Sequence, residues 1–261
     1  MKTARRAELT DFWRNLGVRA GAPLLCHSFL VSLGKPAVSP AHDLLGSLLD
    51  ALGPEGTLFA PTFTYSYFND EVYDRQKSAS MVGVLGDLVR THPGAVRSLD
   101  PNFSNAGIGP HAEAFLARTT KLSFGPETFY NRLVEADAQI LLIGVDFTAL
   151  PLFMQIERMN QVPYRYEKRF TGITRDGGRE FEDEAIHFVR ALELDFVNDR
   201  TRVGAEIEAD AACCVARYVY GIHRLTTAKM VVRVAEVCLE RNPHALICFQ
   251  SEAGRKAAAD L

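Results

Sequence analysis

No apolar run in the chain approaches the roughly twenty residues that a membrane-spanning helix requires, so no membrane partner is expected. The basic residues of the opening MKTARRAEL are not followed by an apolar segment. A secretory signal is therefore not expected, and a cytoplasmic enzyme is the default. The five cysteines are odd in number and show no CxxC spacing. Cys213 and Cys214 are adjacent and poorly placed to bridge each other, so reduced, buried thiols are expected. The seven histidines are scattered without HxxxH or HExxH spacing, so no metal is expected. A formal net charge of −3 gives no reason to expect nucleic acid as a partner. A Walker loop, internal repeats and low-complexity linkers are all missing.

What is present is a long chain with a large apolar share. At 261 residues and 47% hydrophobic content it can bury a sizeable core. The simplest architecture is a single α/β domain over 1–261, with a mixed β-sheet between helix layers. Helices are predicted over Arg5 to Leu16, Ser39-Pro40 to Leu52 (serine as N-cap), Gly83 to Arg90, Pro110 to Arg118, Thr128 to Glu135, Gly204 to Cys214 and Thr226 to Arg241. Strands are predicted over Pro23 to Cys26, Thr57 to Pro61, Ala95 to Leu99, Ile140 to Val145, Val215 to Tyr220 and Ala245 to Cys248. Asn69 to Ser80 reads as a loop over the site or as a segment disordered without ligand, Glu180 to Glu184 as a solvated acidic segment, and the tail after Gln250 as frayed.

The organising stretch is Ile140 to Phe170. A strand buried on both faces turns through Asp146 and Thr148 into a helix that carries Met154 and Glu157 on one face. A carboxylate on a helix after a buried strand is a candidate general base, because ligands of α/β folds gather at the carboxyl ends of strands. His27, Ser28, Phe29 and Ser32 follow another apolar strand, where hydroxyls and backbone N–H groups can meet a phosphate or thioester. An ordinary strand-to-helix turn reads the same way. Thr62, Thr64 and Ser66 alternate with Phe63, Tyr65 and Tyr67, a pattern that suits an acyl channel or a plain core wall. A thiol nucleophile at Cys26-His27 is disfavoured, because adjacent strand residues face opposite ways.

Several short pieces occur in a fixed order: Leu24-Leu25-Cys26-His27-Ser28, Pro61-Thr62-Phe63, Arg97-Ser98-Leu99-Asp100-Pro101 with Ser104, Phe124-Gly125-Pro126, Leu141-Leu142-Ile143-Gly144-Val145, Glu157, and Val162-Pro163-Tyr164-Arg165. Together they resemble the aminoglycoside 3-N-acetyltransferase family, with the last third of the chain only loosely matched. The VPYRYEKRF segment resembles the branch near glycan and natural-product pathways more than the drug-resistance branch.

The resemblance implies acetyl-CoA or another acyl-CoA as co-substrate, set against His27, Ser28, Phe29, Ser32, Thr62, Phe63, Ser104 and Phe124. It implies a primary amine as acceptor, on an amino sugar, aminocyclitol or natural product, met by Tyr65, Tyr67, Asp70, Met154 and Tyr164. Glu157 matches the family glutamate and is the expected base. Antibiotic-modifying members carry a histidine three residues before it, where this chain has Met154, and histidines where it has Asp100 and Phe103. Asp100 and His187 are therefore further candidates for acid–base work. An acyl carrier protein as donor, a homodimer, and a degenerate member that binds without turnover are alternatives that the sequence leaves open.

Overall fold

The computed structural model describes residues 4–34 and 40–259. The expected cap at Ser39 lies outside them. The centre of the fold is a seven-stranded sheet built from β1 (Pro23–Ser28), β2 (Thr57–Pro61), β4 (Ala95–Arg97), β5 (Asn105–Ile108), β6 (Gln139–Ile143), β10 (Cys214–Tyr218) and β11 (Gly221–Thr227). Their order across the sheet is β10-β11-β6-β1-β2-β5-β4. β1 runs parallel to both β2 and β6, and the outer pairings are antiparallel. The sheet is thus mixed, with its three parallel strands at the middle.

Those central strands read as unbroken apolar runs because both faces are covered. In β6, Ile140 and Leu142 join one core and Leu141 and Ile143 the other. Helices α1 (Ala4–Leu16), α2 (Pro40–Leu52) and α3 (Val84–Arg90) lie on the second face. Trp13 is fully buried there, and its indole N–H donates to Ser47 Oγ at 2.9 Å. Helices α4 (Ala112–Leu116), α5 (Phe129–Glu135), α6 (Leu152–Met159), α7 (Thr201–Ala209) and α8 (Ala228–Arg241) cover the first face. The expected α/β class, a mixed sheet between helix layers, is the one found.

Beside this body stands an arm. β7 (Arg165–Asp176) and β8 (Arg179–Arg190) form a hairpin closed by Gly177 and Gly178 at φ 57° and 82°. The short β3 (Tyr73–Asp74) pairs with β7, and β9 (Phe196–Asn198) with β12 (Ile247–Phe249).

Four local expectations are corrected. The segment from Glu180 to Glu184 is solvated from Glu180 to Glu182, as expected, but it is part of β8 and buries Asp183. Asn69 to Ser80 is anchored, since Tyr73 is fully buried and donates to the Ser98 carbonyl at 2.6 Å. Thr226 and Thr227 end a strand, and α8 starts after them. A last helix, α9 (Glu252–Ala259), forms where fraying was expected.

Candidate active site

β1 and β6 end side by side, with Ser28 paired to Ile143. The chain leaving β6 turns at Gly144, whose φ is 65° and where a Cβ would lie 2.1 Å from the Cβ of Ser32. Only glycine lets the turn after β6 pack so closely on Ser32. Beyond the turn, Asp146 caps the next one by accepting from Thr148 N at 2.9 Å. Leu150 and Pro151 then lead into α6. These connections leave a cleft of about 340 Å³ at the carboxyl ends of the parallel strands. It shares Val145, Thr148 and Ala149 with an outer groove of about 690 Å³.

The cleft brings together His27 and Ser28 from β1, Phe63 and Tyr65 from beyond β2, Phe103, Thr148, Met154 from α6, and Asn198 and Arg200. The groove adds Phe29, Ser32, Tyr220 and Arg224. His27 and Ser28 lie on β1 itself, since the strand runs two residues further than predicted. Tyr65 holds a left-handed backbone, φ 54° and ψ 27°, which non-glycine residues adopt at some cost. Burial raises its phenol above the ordinary value. Among the buried polar atoms along this path that have no protein partner are His27 Nε2 and Ser32 Oγ. Buried polar atoms are nearly always paired, so such a pair beside a cleft marks a place for a ligand. Burial lowers the His27 imidazole to about 4, so the ring is neutral at pH 7 with one nitrogen lone pair to offer.

Glu157 lies behind this cleft and does not line it. It is completely buried. Its Oε2 is 3.0 Å from Arg165 Nε and 3.4 Å from Arg200 Nη2, and its Oε1 accepts from the Tyr164 hydroxyl at 3.2 Å. The Arg200 guanidinium also lies 5.6 Å from the centre of the Phe153 ring. Arg200 is 3% exposed, its Nε has no protein partner, and burial lowers its pKa. Nothing in the sequence singled it out. An arginine in FVNDRTRV, two residues before another, has no motif, and it falls in the loosely matched last third.

The remaining expected site residues are placed elsewhere. Thr62 and Ser104 are fully buried, 3.1 Å apart, and accept from Arg97. They offer no surface to a coenzyme because their polar atoms are already engaged. Phe124 stacks on Tyr130 in the core. Tyr67 is buried against Gly172, with its hydroxyl 2.7 Å from Thr174 Oγ1. Tyr164 is buried on Glu157, and Asp70 is exposed on its loop. Asp100 Oδ1 accepts from the backbone of Asn102 and Phe103, closing a turn beside a different cavity. His187 is 2% exposed among Phe68, Phe103 and Phe170, with Nε2 2.7 Å from the Asn102 amide. Burial lowers its pKa, against the pull of Asp100. Among the described residues, no group of three or more His, Cys, Asp or Glu is placed to hold a metal ion, and no helix is long and apolar enough to cross a membrane.

The sequence profile described as Aminoglycoside 3-N-acetyltransferase matches residues 25–240. Aminoglycoside N(3)-acetyltransferase IV from Salmonella sp is 36% identical over 176 residues, which are 66% of this chain and 66% of that relative's length, just under two thirds. Aminoglycoside N(3)-acetyltransferase III from Pseudomonas aeruginosa is 27% identical, over 66% of this chain and 70% of that protein. Among solved structures, the apoenzyme of aminoglycoside acetyltransferase AAC(3)-IVa superposes with a TM-score of 0.80 at 26% identity, covering 98% of this chain and 97% of that one. A histidine-to-alanine mutant of the same enzyme, in complex with a gentamicin, gives 0.81 at 27% identity, covering 98% and 97%. With its profile running from β1 into α8 and its whole sheet shared with these enzymes, the chain belongs to the aminoglycoside 3-N-acetyltransferase family.

Proposed function

We propose that this chain is an acyl-CoA-dependent N-acetyltransferase that acts on a primary amine of an amino sugar or related natural product by direct transfer. The observation that carries the proposal is the cleft at the ends of β1 and β6, lined by His27 and, in the adjoining groove, Ser32, whose buried Nε2 and Oγ have no protein partner. Family membership and relatives named for N-acetylation support the same reading. So does a relative of the same fold solved as a binary complex with CoASH.

In this reading the outer groove, with Ser32 and Phe29, receives the nucleotide end of the acyl donor, and the thioester reaches inward past Ser28 and Thr148. The amine nitrogen attacks the thioester carbonyl carbon. The new C–N bond forms and the C–S bond breaks. The proton leaves the nitrogen for His27 Nε2 and passes to the departing sulfur. The hydroxyl of Ser28 is the donor nearest to hand for the developing oxyanion, since that of Thr148 already donates to Asp146.

Glu157, the base expected from the sequence, serves differently. A carboxylate behind the cleft wall and bound to two guanidiniums cannot touch the amine. It holds Arg165 and Arg200 in place instead. Asp100 and His187 likewise support the wall, through the Asn102 turn and the aromatic cluster.

The test is release of coenzyme A thiol from acetyl-CoA across a panel of amines. Amine-dependent release is expected. Calorimetric binding of acetyl-CoA with no release for any amine would overturn the catalytic reading.

A further inference from the structure

Family membership directs attention to polycationic acceptors, and a site for a polycation needs carboxylates. None of the described residues lining the cleft is an aspartate or glutamate. The charged side chain that lines it is Arg200. Asp146 lies in the adjoining groove and is engaged by Thr148. Asp199, next to Arg200 in sequence, accepts from Thr201 N at 3.0 Å.

Behind Arg200 the charge does not balance. Glu157 is shared by Arg165 and Arg200, so one carboxylate in contact faces two buried guanidiniums, with Asp199 acting on Arg200 from further away. Tyr164, the third partner of Glu157, has its phenol pKa pushed up by burial and so stays neutral. A buried positive charge in excess is costly unless an anion joins it. Arg200 Nε, a donor left without a protein partner, belongs to the guanidinium that lines the cleft.

Asn198 points the same way. Its Oδ1 accepts from Arg165 Nη2 at 2.5 Å, which commits the amide oxygen to the protein. An amide whose oxygen is engaged offers its N–H groups to whatever comes next. Asn198 lines the cleft beside Arg200. Two donor groups, one of them charged, form the recognition set for a carboxylate or phosphate.

We propose that the acceptor is an amine that also carries an anionic group, a carboxylate or phosphate, which Arg200 and Asn198 bind while the amine faces the acyl donor. This rests on the N-acetyltransferase reading for the transfer step, but the anion site stands on its own residues. Arg200 is then a specificity-determining residue. The Glu157 ion pair positions it, and Phe153 supports its flat face.

Four acceptors decide the matter: a neutral hexosamine, its 6-phosphate, its uronic acid form, and a polycationic aminoglycoside. Binding is measured by calorimetry and turnover by thiol release. The wild type should favour one of the two anionic amino sugars over the neutral hexosamine by about 10- to 100-fold in kcat/KM, the usual worth of a charge-assisted bidentate contact. In Arg200→Gln that ratio should collapse toward one. Arg200→Lys, which keeps charge but loses the planar fork, should retain part of it. Arg200→Gln leaves Glu157 and Arg165 as a balanced pair, and Arg200→Met, apolar and of similar length, covers the case in which the glutamine variant does not fold.

A polycation preferred over both anionic sugars overturns the proposal. So does Arg200→Gln weakening acetyl-CoA binding while the acceptor ratio stays, because the anion recognised would then be the coenzyme's. If no amine supports thiol release, the transfer reading fails. Calorimetric binding of the anionic sugars, lost in Arg200→Gln, still decides for or against the site.

Discussion

Arg97 and Arg200 are buried to nearly the same depth, at 5% and 3% exposure, and the structure treats them in opposite ways. Among the described residues, Arg97 has no carboxylate as a hydrogen-bond partner. Its Nε donates to the hydroxyls of Thr62 and Ser104, its Nη1 to the carbonyls of Arg75 and Ser78, and its Nη2 to the carbonyl of Thr62. Its face lies 5.4 Å from the Tyr73 ring centre. Arg200 has a carboxylate, yet keeps a donor without a protein partner beside open space. One guanidinium is a strut that ties the ends of β2, β4 and β5 to the loop before α3. The other is a receptor part. Depth of burial does not separate the two roles; the accounting of donors does.

His27 falls on the receptor side of this divide, and it carries the largest predicted effect. His27→Asn should lower kcat by about 10²–10⁴-fold while acetyl-CoA still binds, the usual worth of general acid–base catalysis. In the wild type, the acid limb of the free-enzyme kcat/KM profile, corrected for the neutral fraction of the free amine, should lie near pH 4, where burial puts this imidazole. A limb near 6.5, the ordinary histidine value, would assign the proton transfer to a different group.

Next come the struts. Arg97→Ala should destabilise the fold by about 3–5 kcal/mol, since it strands buried carbonyls and hydroxyls, read as a lower urea midpoint. Glu157→Gln should cost a similar ~3–5 kcal/mol, because it leaves two buried guanidiniums without an anion. If Glu157→Gln leaves the urea midpoint alone and lowers only kcat, the carboxylate belongs in the chemistry after all.

Acid stability should show a smaller, graded effect. The folded pKa of His27 lies below its unfolded value of 6.5, so the unfolded chain takes up the proton more readily. Its contribution to stability is complete above pH 6.5 and is lost as pH falls toward about 4. His27→Asn should flatten this part of the unfolding profile. Smallest of all, Asp70→Asn with Glu71→Gln should move the acceptor KM by no more than about twofold, the level expected of exposed substitutions. These two acids lie on the surface and line neither cavity. A larger rise in KM would restore them to the acceptor path.

The sheet was readable because its middle strands are continuous apolar runs. Thr57–Pro61 was delimited to the residue, and Gln139–Ile143 within two. β11 was harder to read. Its residues Gly221 to Thr227 carry histidine and arginine, and the apolar period of α8 absorbed the last two. For the candidate site, local order named His27, Ser28, Phe63, Tyr65 and Met154, which line the cleft at or just beyond strand ends or on the helix after β6. Alternation misled at Thr62 and Tyr67 alike, because hydroxyls beside aromatics look the same whether they face a ligand or the protein. Thr62 accepts from Arg97, and the Tyr67 hydroxyl is bonded to Thr174. Arg200 was out of reach because its meaning comes from Glu157, 43 residues earlier. No local pattern encodes a partner at that distance.

The ion-paired trio also shapes how this chain can change over generations. Glu157, Arg165 and Arg200 sit on α6, at the start of β7 and just before α7, so three separate segments must agree. A lineage that drops the carboxylate first leaves two positive charges interred. One that drops an arginine first loosens either the root of the hairpin or the cleft wall. Each single step passes through a weakened protein, and the trio can be exchanged only by nearly simultaneous substitutions. Met154, one turn away on the same helix and touching the cleft, is under no such bond. Evolution can revise the pocket at that position one residue at a time, while the frame behind it stays locked.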